Sequence, residues 1–488
     1  PLLFHLFLFL IFSPFLSSTP SNLKTRLNKE GFYFLSKSAR KVIDKEIPAL
    51  EIPDFKIDFD GGWLGVEDIR IKKFVAPELF FKKTFSCFTL KFSYFSSFDL
   101  TISPDGLHWD STGGGLKIGA GIAVKYGIIF EKGWFVATAG DLRLSLSATA
   151  STLDGRPQLA IKQCQLGIRH FDLQIGGSFW MWLVNLFRDL LSHEIQVLIN
   201  NQACSYARDL LLTQGNDFLH SLPIDVDIGK GFWLHYHIDD DPQFSVDHAV
   251  LSTTVTVTYS NQTSCTHEIT PLDAEDDPSS MGSIWVSDQI PNCLLETAFK
   301  NVNLSLTATH LNLPAIESYL KTSCWLSCIG FFFPKLKKDF PNQHVSLTFA
   351  PASAPVVSFL NGSTQVNASI NLDFHIYPME YNPDVLLRLN LLSIGEVEPY
   401  LEDRKLKGRI DSVSINATEV FSSIGDVSPT FLSGFDTIFK TVSTSLLTVL
   451  LSKGIPLPIF DNLSISDTSL ITERPGEVLL SLNFTDFN

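Results

Sequence analysis

Apolar and polar residues alternate one by one along much of this chain, and a few long amphipathic helices interrupt them. Between Asp141 and Ala148, Leu142, Leu144, Leu146 and Ala148 alternate with Arg143, Ser145 and Ser147. Leu304, Leu306 and Ala308 repeat the pattern, as do Val345, Leu347 and Phe349, and Leu480, Leu482 and Phe484. Successive side chains of a strand point to opposite faces, so such segments build antiparallel sheets with one apolar face. Three other stretches follow helical spacing. Leu23–Ile47 carries Leu27, Phe34, Leu35, Val42 and Ile43. A second, from about Ser178 to Leu212, carries Trp180, Leu183, Val184, Phe187, Leu190, Leu191, Ile195 and Leu198, with Arg188, Asp189, Glu194 and Gln196 on its other side. A third runs from Phe431 to Leu451 through Phe435, Ile438, Phe439, Val442, Leu446 and Val449. Single long helices among many long strands give an α+β class.

At 488 residues the chain exceeds what one core serves, so two large units are expected. Asp239–Met281 reads as a connector: DDDP, a Thr/Val strand at Ser252–Tyr259, then the acidic LDAEDDPSSM. After it the strand–helix–strand pattern restarts, as a weak internal duplication would. The expected division is residues 20–240 as one unit, 241–282 as a connector feeding a central sheet, and 283–488 as the second unit. Hydrophobic residues make up 45%, with 40 Phe, enough for solid cores or for wide apolar cavities. The net charge of −15 falls almost wholly after residue 240, and neither half carries the basic footprint of a nucleic-acid binder.

Export is expected. Leu2–Leu16 is an apolar run followed by small polar residues at Ser17–Thr19, so residues 1–19 read as a signal peptide shortened at its start. The run is shorter than the ~20 residues a membrane span needs. Glycosylation sequons stand at Asn261, Asn303, Asn361, Asn367, Asn416, Asn462 and Asn483, all in the second half. Seven cysteines suit an oxidising compartment, and their odd number leaves at least one thiol outside intrachain pairs. Cys324 and Cys328, four apart, read as a bridge or as a weak metal pair.

Catalytic patterns are missing. No GxSxG nucleophile elbow occurs, and His193-Glu194 and His267-Glu268 lack the second His of a zinc protease. His235, His237 and Asp239 share one strand face, either as metal ligands or as a polar face of the sheet. Glycines around Gly113–Gly121 fit bulges and hairpins rather than a phosphate loop. The expectation is no catalysis, no cofactor and no bound metal.

Several words of the sequence carry a resemblance. They are IPALEIPDFKIDF after the first helix, KQCQLGIRHFDLQI and NNQACSYARDLL bracketing the second, PKLKKDFPNQHVSLTFA, and KGIPLPIFDNLSISDTSL near the end. In this order, over about residues 22–484, the chain resembles the family of bactericidal permeability-increasing protein, lipopolysaccharide-binding protein and the phospholipid and cholesteryl ester transfer proteins. The resemblance implies an elongated boomerang of two barrels, each a twisted antiparallel sheet with a long amphipathic helix, joined by a central sheet. It implies an apolar pocket in each barrel for acyl chains, and a disulfide between Cys164 and Cys204 worth roughly 4 kcal/mol. It implies a secreted, monomeric binding or transfer protein for phospholipid or other apolar lipids, touching membrane or lipoprotein surfaces transiently. The alternative is an innate-immunity protein that recognises bacterial lipopolysaccharide.

Candidate pocket walls are Phe34, Leu35 and Val42 on the first helix and Trp180, Leu183, Val184, Phe187 and Leu191 on the second. Ordinary helix–sheet core is the competing reading for each. The hairpin VKYGIIFEKGWF matches the family's tip. Ile128, Ile129, Phe130 and Trp134 make it apolar, where antibacterial members carry a basic hairpin, and suit it to a membrane interface. A half-buried hairpin is the plainer alternative.

Overall fold

A computed structural model describes residues 21–75, 97–177, 181–260, 280–461 and 463–487, with 262–263, 265, 270 and 272. The chain enters on strand β1 (Leu23–Asn28), which leads into helix α1 (Lys29–Glu46). The expected single helix from Leu23 is therefore a strand and a helix. Leu23 and Leu27 have helical spacing, but β1 is held by ladders to residues 248–253 on one side and 282–286 on the other.

Six strands follow: β2 (Phe55–Phe59), β3 (Gly62–Val75), β4 (Ser97–Ser103), β5 (Gly106–Tyr126), β6 (Ile129–Leu153) and β7 (Arg156–Gly177). They form one antiparallel sheet ordered β2-β3-β5-β6-β7, with β4 also on β5. The sheet bends where the β5–β6 ladder passes from the Gly113–Leu142 pair to the Gly115–Gly140 pair, skipping Gly114 and Asp141. Gly113, Gly114 and Asp141 all have positive φ there, which two glycines supply without a Cβ clash. Helix α2 (Met181–Asp209) lies against β7 and continues as a π-helical stretch, Leu210–Gly215.

The chain then returns to the middle. Strands β8 (Asp225–Gly229), β9 (Phe232–Ile238), β10 (His248–Tyr259) and β11 (Gly282–Ser287) flank β1. Helix α3 (Gln289–Asn301) opens the second barrel. Its strands are β12 (Leu306–Ala308), β13 (Val345–Pro351), β14 (Val356–Leu360), β15 (Ser363–Ile376), β16 (Leu387–Glu402) and β17 (Lys405–Ser422). Helix α4 (Pro429–Ser452) covers them, capped by the Ser428 hydroxyl accepting from Phe431 N. A short strand, β18 (Ile455–Pro456), extends this sheet to the order β12-β13-β15-β16-β17-β18, with β14 on β15. Finally β19 (Leu470–Arg474) and β20 (Glu477–Leu482) complete a central sheet ordered β19-β20-β11-β1-β10-β9-β8, with two short strands, Gln243–Phe244 and Gln262–Thr263, also paired to β10 and making nine in all. The architecture is two curled sheets, each with a long helix, bridged by a sheet that both ends of the chain supply.

The two barrels are packed differently. In the second, Phe431, Phe435 and Phe439 on one face of α4 meet Phe333, Phe349 and Phe374 in a core continuous with Leu234, Val257 and Val286 of the central sheet. The first has a separate, smaller core around Leu64, Val66, Ile122, Phe135 and Leu191.

Candidate functional site

Each barrel contains an apolar cavity beside its long helix. The first, about 410 Å³, lies between the bent sheet and the C-terminal half of α2. Ile118, Leu142, Leu144 and Leu146 line its sheet side, and Leu198, Ile199 and Ala203 its helix side. Ala203, Ser205 and Ala207 line this stretch with short side chains, beside the larger Gln202 and Tyr206. The π-helical turn after Asp209 brings Leu210 and Leu211 into the wall, and Ile47, Leu50 and Ile52 after α1 complete it. The helix is pinned at this level. Cys204 is bonded to Cys164 of β7, and Asn200 Oδ1 accepts from Leu166 N at 2.9 Å.

The second cavity, about 710 Å³, lies between α3, the end of α4, strands β14 to β17 and the β8–β9 hairpin. Leu294, Leu295, Ala298, Val357, Phe359, Val366 and Val397 line it.

Four proposed wall residues lie elsewhere. Phe187 and Leu191 sit in the solid part of the first barrel; Leu191 is 1% exposed, and the Phe187 ring is 4.5 Å from that of Phe59. Around Phe187, Leu191 and Ile195 α2 thus packs flush, and the cavity lining begins at Leu198. Phe34 packs toward the second core, 6.0 Å from the Phe484 ring, and neither it nor Leu35 lines either of these two cavities. Trp180 and the side chains of Val42, Leu183 and Val184 lie outside the described residues. The lining of this cavity falls after Leu198, where Ala203, Ser205 and Ala207 are short, rather than along the bulkiest stripe.

The β5–β6 hairpin projects its apolar residues into solvent. Ile128 at the turn is fully exposed (103%), Phe130 is 52% exposed, Trp134 51%, and Ile129 is half-buried. Trp63 of β3 adds a ring 6.1 Å from Phe130. Lys56 and Lys132 lie over the Trp63 and Phe130 rings at 5.5 and 5.9 Å, which places cations among the aromatics.

The candidate metal face is a hydrogen-bonded sheet surface. His235 Nδ1 is 2.7 Å from Asp225 and its Nε2 2.9 Å from Thr258, while His237 lies 3.8 Å from Asp239. Among the described residues no group of three His, Cys, Asp or Glu side chains is arranged to hold a metal ion. Cys324 and Cys328 are bonded to each other, as are Cys265 and Cys293; Cys87 lies outside the described residues.

Of the sequon asparagines, Asn303, Asn361 and Asn416 are exposed and Asn367 is half-buried on β15. Asn483 is engaged, accepting from Met281 N at 3.2 Å and donating to Thr468 at 3.3 Å. Asn261 and Asn462 lie outside the described residues.

The sequence matches the LBP / BPI / CETP family, N-terminal domain, over residues 31–214 and the C-terminal domain of the same family over 232–474. The chain belongs to this family. Among LBP/BPI/CETP relatives, lipopolysaccharide-binding protein of Bos taurus is 19% identical over 457 residues, covering 92% of this chain and 90% of its own. Bactericidal permeability-increasing protein of Sebastes schlegelii is 22% identical over 359 residues, covering 71% and 73%. A crystal structure of lipopolysaccharide binding protein superposes with a TM-score of 0.60 at 16% identity, over 96% of this chain and all of that one. At that identity the superposition speaks for the fold alone. The family's two-barrel fold is the one described above. Among the described residues no helix is long and apolar enough to cross a membrane.

Proposed function

We propose that this LBP/BPI/CETP family chain is a secreted carrier that binds phospholipid or another apolar lipid and moves it between surfaces, without catalysing a reaction. The cavity beside the C-terminal half of α2 carries this reading. Its walls are mostly hydrocarbon on both sides, and its volume falls within the ~300–1,000 Å³ of small-molecule sites. At about 0.8 kcal/mol per methylene, burying ten methylenes gains on the order of 8 kcal/mol gross, enough to make escape into water slow. Exchange then needs contact with a membrane or lipoprotein surface. The exposed Ile128, Phe130 and Trp134 suit transient insertion there. Action outside the cell fits three disulfides and exposed sequons at Asn303, Asn361 and Asn416.

Lipid extraction and mass spectrometry of the purified chain test the proposal. Co-purified or vesicle-acquired lipid is expected, and Ala203→Trp, which fills the first cavity, should lower the amount held. A chain that takes up no lipid from vesicles would sink the reading. The names of its relatives favour a second one, recognition of bacterial lipopolysaccharide. Lipopolysaccharide binding that weakens steeply with salt would favour this alternative, because charge-driven contacts are screened.

A further inference from the structure

The two cavities carry opposite charge at their walls. In the first, the only carboxylates or cations among the described residues are Glu51 and Asp209, both acidic. In the second, Lys230, Lys405, Lys407 and Lys453 stand, among the described residues, against one acid, Asp227. The contrast runs against the chain's charge distribution, since nearly all of the net −15 lies after residue 240, where three of these four lysines are found.

Lys407 is committed, donating to Glu402 at 2.6 Å. The side chains of Lys230, Lys405 and Lys453 make no hydrogen bond or ion pair among the described residues. Lys405 and Lys453 are brought together by Gly454, whose positive φ (+65°) turns the chain out of α4. A Cβ there would lie 2.6 Å from Lys407 Cγ and 3.2 Å from Lys405 Cβ, so the lysine stems pack over the glycine. Lys230 reaches the same wall from the β8–β9 turn, also at positive φ. Asp227 is partly used, accepting from Gly229 N at 2.7 Å. Inside, Thr364 is 3% exposed and its hydroxyl has no hydrogen-bond partner, although it lines the cavity. A buried hydroxyl without a partner is costly and is a place where a ligand oxygen would be welcome.

We propose that the second cavity selects lipids with an anionic headgroup: Lys230, Lys405 and Lys453 receive the charged group, Thr364 meets a polar ester oxygen, and the chains lie along α3 and α4. Glu51 and Asp209 bias the first cavity against the same headgroup, so the two barrels sort lipids by charge. This rests on the lipid-carrier reading above.

The test uses the full chain with pyrene-labelled phosphatidylglycerol and phosphatidylcholine of identical acyl chains, at low salt. Ala203→Trp, with the first cavity filled, is expected to prefer phosphatidylglycerol about tenfold, as one or two exposed charge contacts allow. The triple variant Lys230→Gln, Lys405→Gln, Lys453→Gln should lose that preference, because phosphatidylglycerol affinity falls about tenfold more than that for zwitterionic phosphatidylcholine. Lys230 and Lys453 are exposed and Lys405 half-buried, and the triple change made in the otherwise unaltered chain gives the same comparison without a cavity-filling tryptophan. Ala298→Trp should abolish the preference by filling the second cavity. Equal affinity for the two lipids before any lysine is changed, or a preference that survives the triple variant, overturns the proposal. So does displacement of phosphatidylglycerol by millimolar inorganic phosphate, which would make the lysines a site for small anions. Failure of the unaltered chain to bind either lipid would instead bring down the carrier reading itself.

Discussion

Cys164 of β7 and Cys204 of α2 are bonded, their Cα atoms 5.7 Å apart, at the level where the helix leaves the sheet to open the first cavity. The bond closes a loop with a sequence separation of 40. Loop-closure entropy then assigns it roughly 4 kcal/mol. Cys164→Ser with Cys204→Ser is expected to lower the stability of the first barrel by about 2–4 kcal/mol in denaturant unfolding. It should also speed lipid release, because α2 loses its anchor beside the opening. Unchanged unfolding and unchanged release would show the bond to be mechanically irrelevant.

The second barrel's stability depends on one face of α4. Phe435 is fully buried, with ring centres 4.6 Å from Phe431 and 6.1 Å from Phe439. Phe435→Ala should cost about 3–5 kcal/mol, the usual loss for a large core side chain replaced by a void. Urea unfolding followed by near-ultraviolet circular dichroism reads it. A loss below about 1 kcal/mol would contradict close packing here.

The proposed carrier role places membrane contact at the β5–β6 turn. Ile128 and Phe130 are exposed, so replacing both with Asp leaves little to lose in the folded state. Their insertion into an interface is worth up to about 1.5–3 kcal/mol each. Ile128→Asp with Phe130→Asp should therefore reduce vesicle co-sedimentation at least about tenfold with an unchanged melting temperature. Retained co-sedimentation would move the contact elsewhere.

A pH response is expected around His344. Its ring stacks on His310 at 4.1 Å. Burial, then the nearby charges of His310 and Lys321, hold its pKa below the usual 6.5, against the opposing pull of Glu317. The unfolded chain therefore binds this proton more readily than the folded one. The stability is fully present above pH 6.5 and is lost as pH falls through the lower folded value. Melting temperatures at pH 7.5 and near pH 5 (about one and a half units below the ordinary value) should separate more in the natural chain than in His344→Gln. Equal separations would remove His344 from the acid response.

Local sequence determined the α+β class, because one-by-one alternation such as Leu142 to Ala148 and helical stripes such as that of α2 are properties of neighbouring residues. The polar face of β9 was legible for the same reason: His235 and His237 lie two apart and so share a side. Leu23–Asn28 misled because its leucines sit four apart. Only strands more than two hundred residues away, β10 and β11, supply the hydrogen bonds that make it a strand. The position of open space along α2 was likewise out of reach. A bulky stripe is read the same way whether a sheet lies close beneath it, as under Phe187, or bends away, as opposite Ala203. The meeting of Lys230, Lys405 and Lys453 at one cavity was equally hidden. Period and propensity are short-range, whereas the distance between a helix and a curved sheet, and the joining of remote segments, are set by long-range pairing and packing, and it is these that make the cavities.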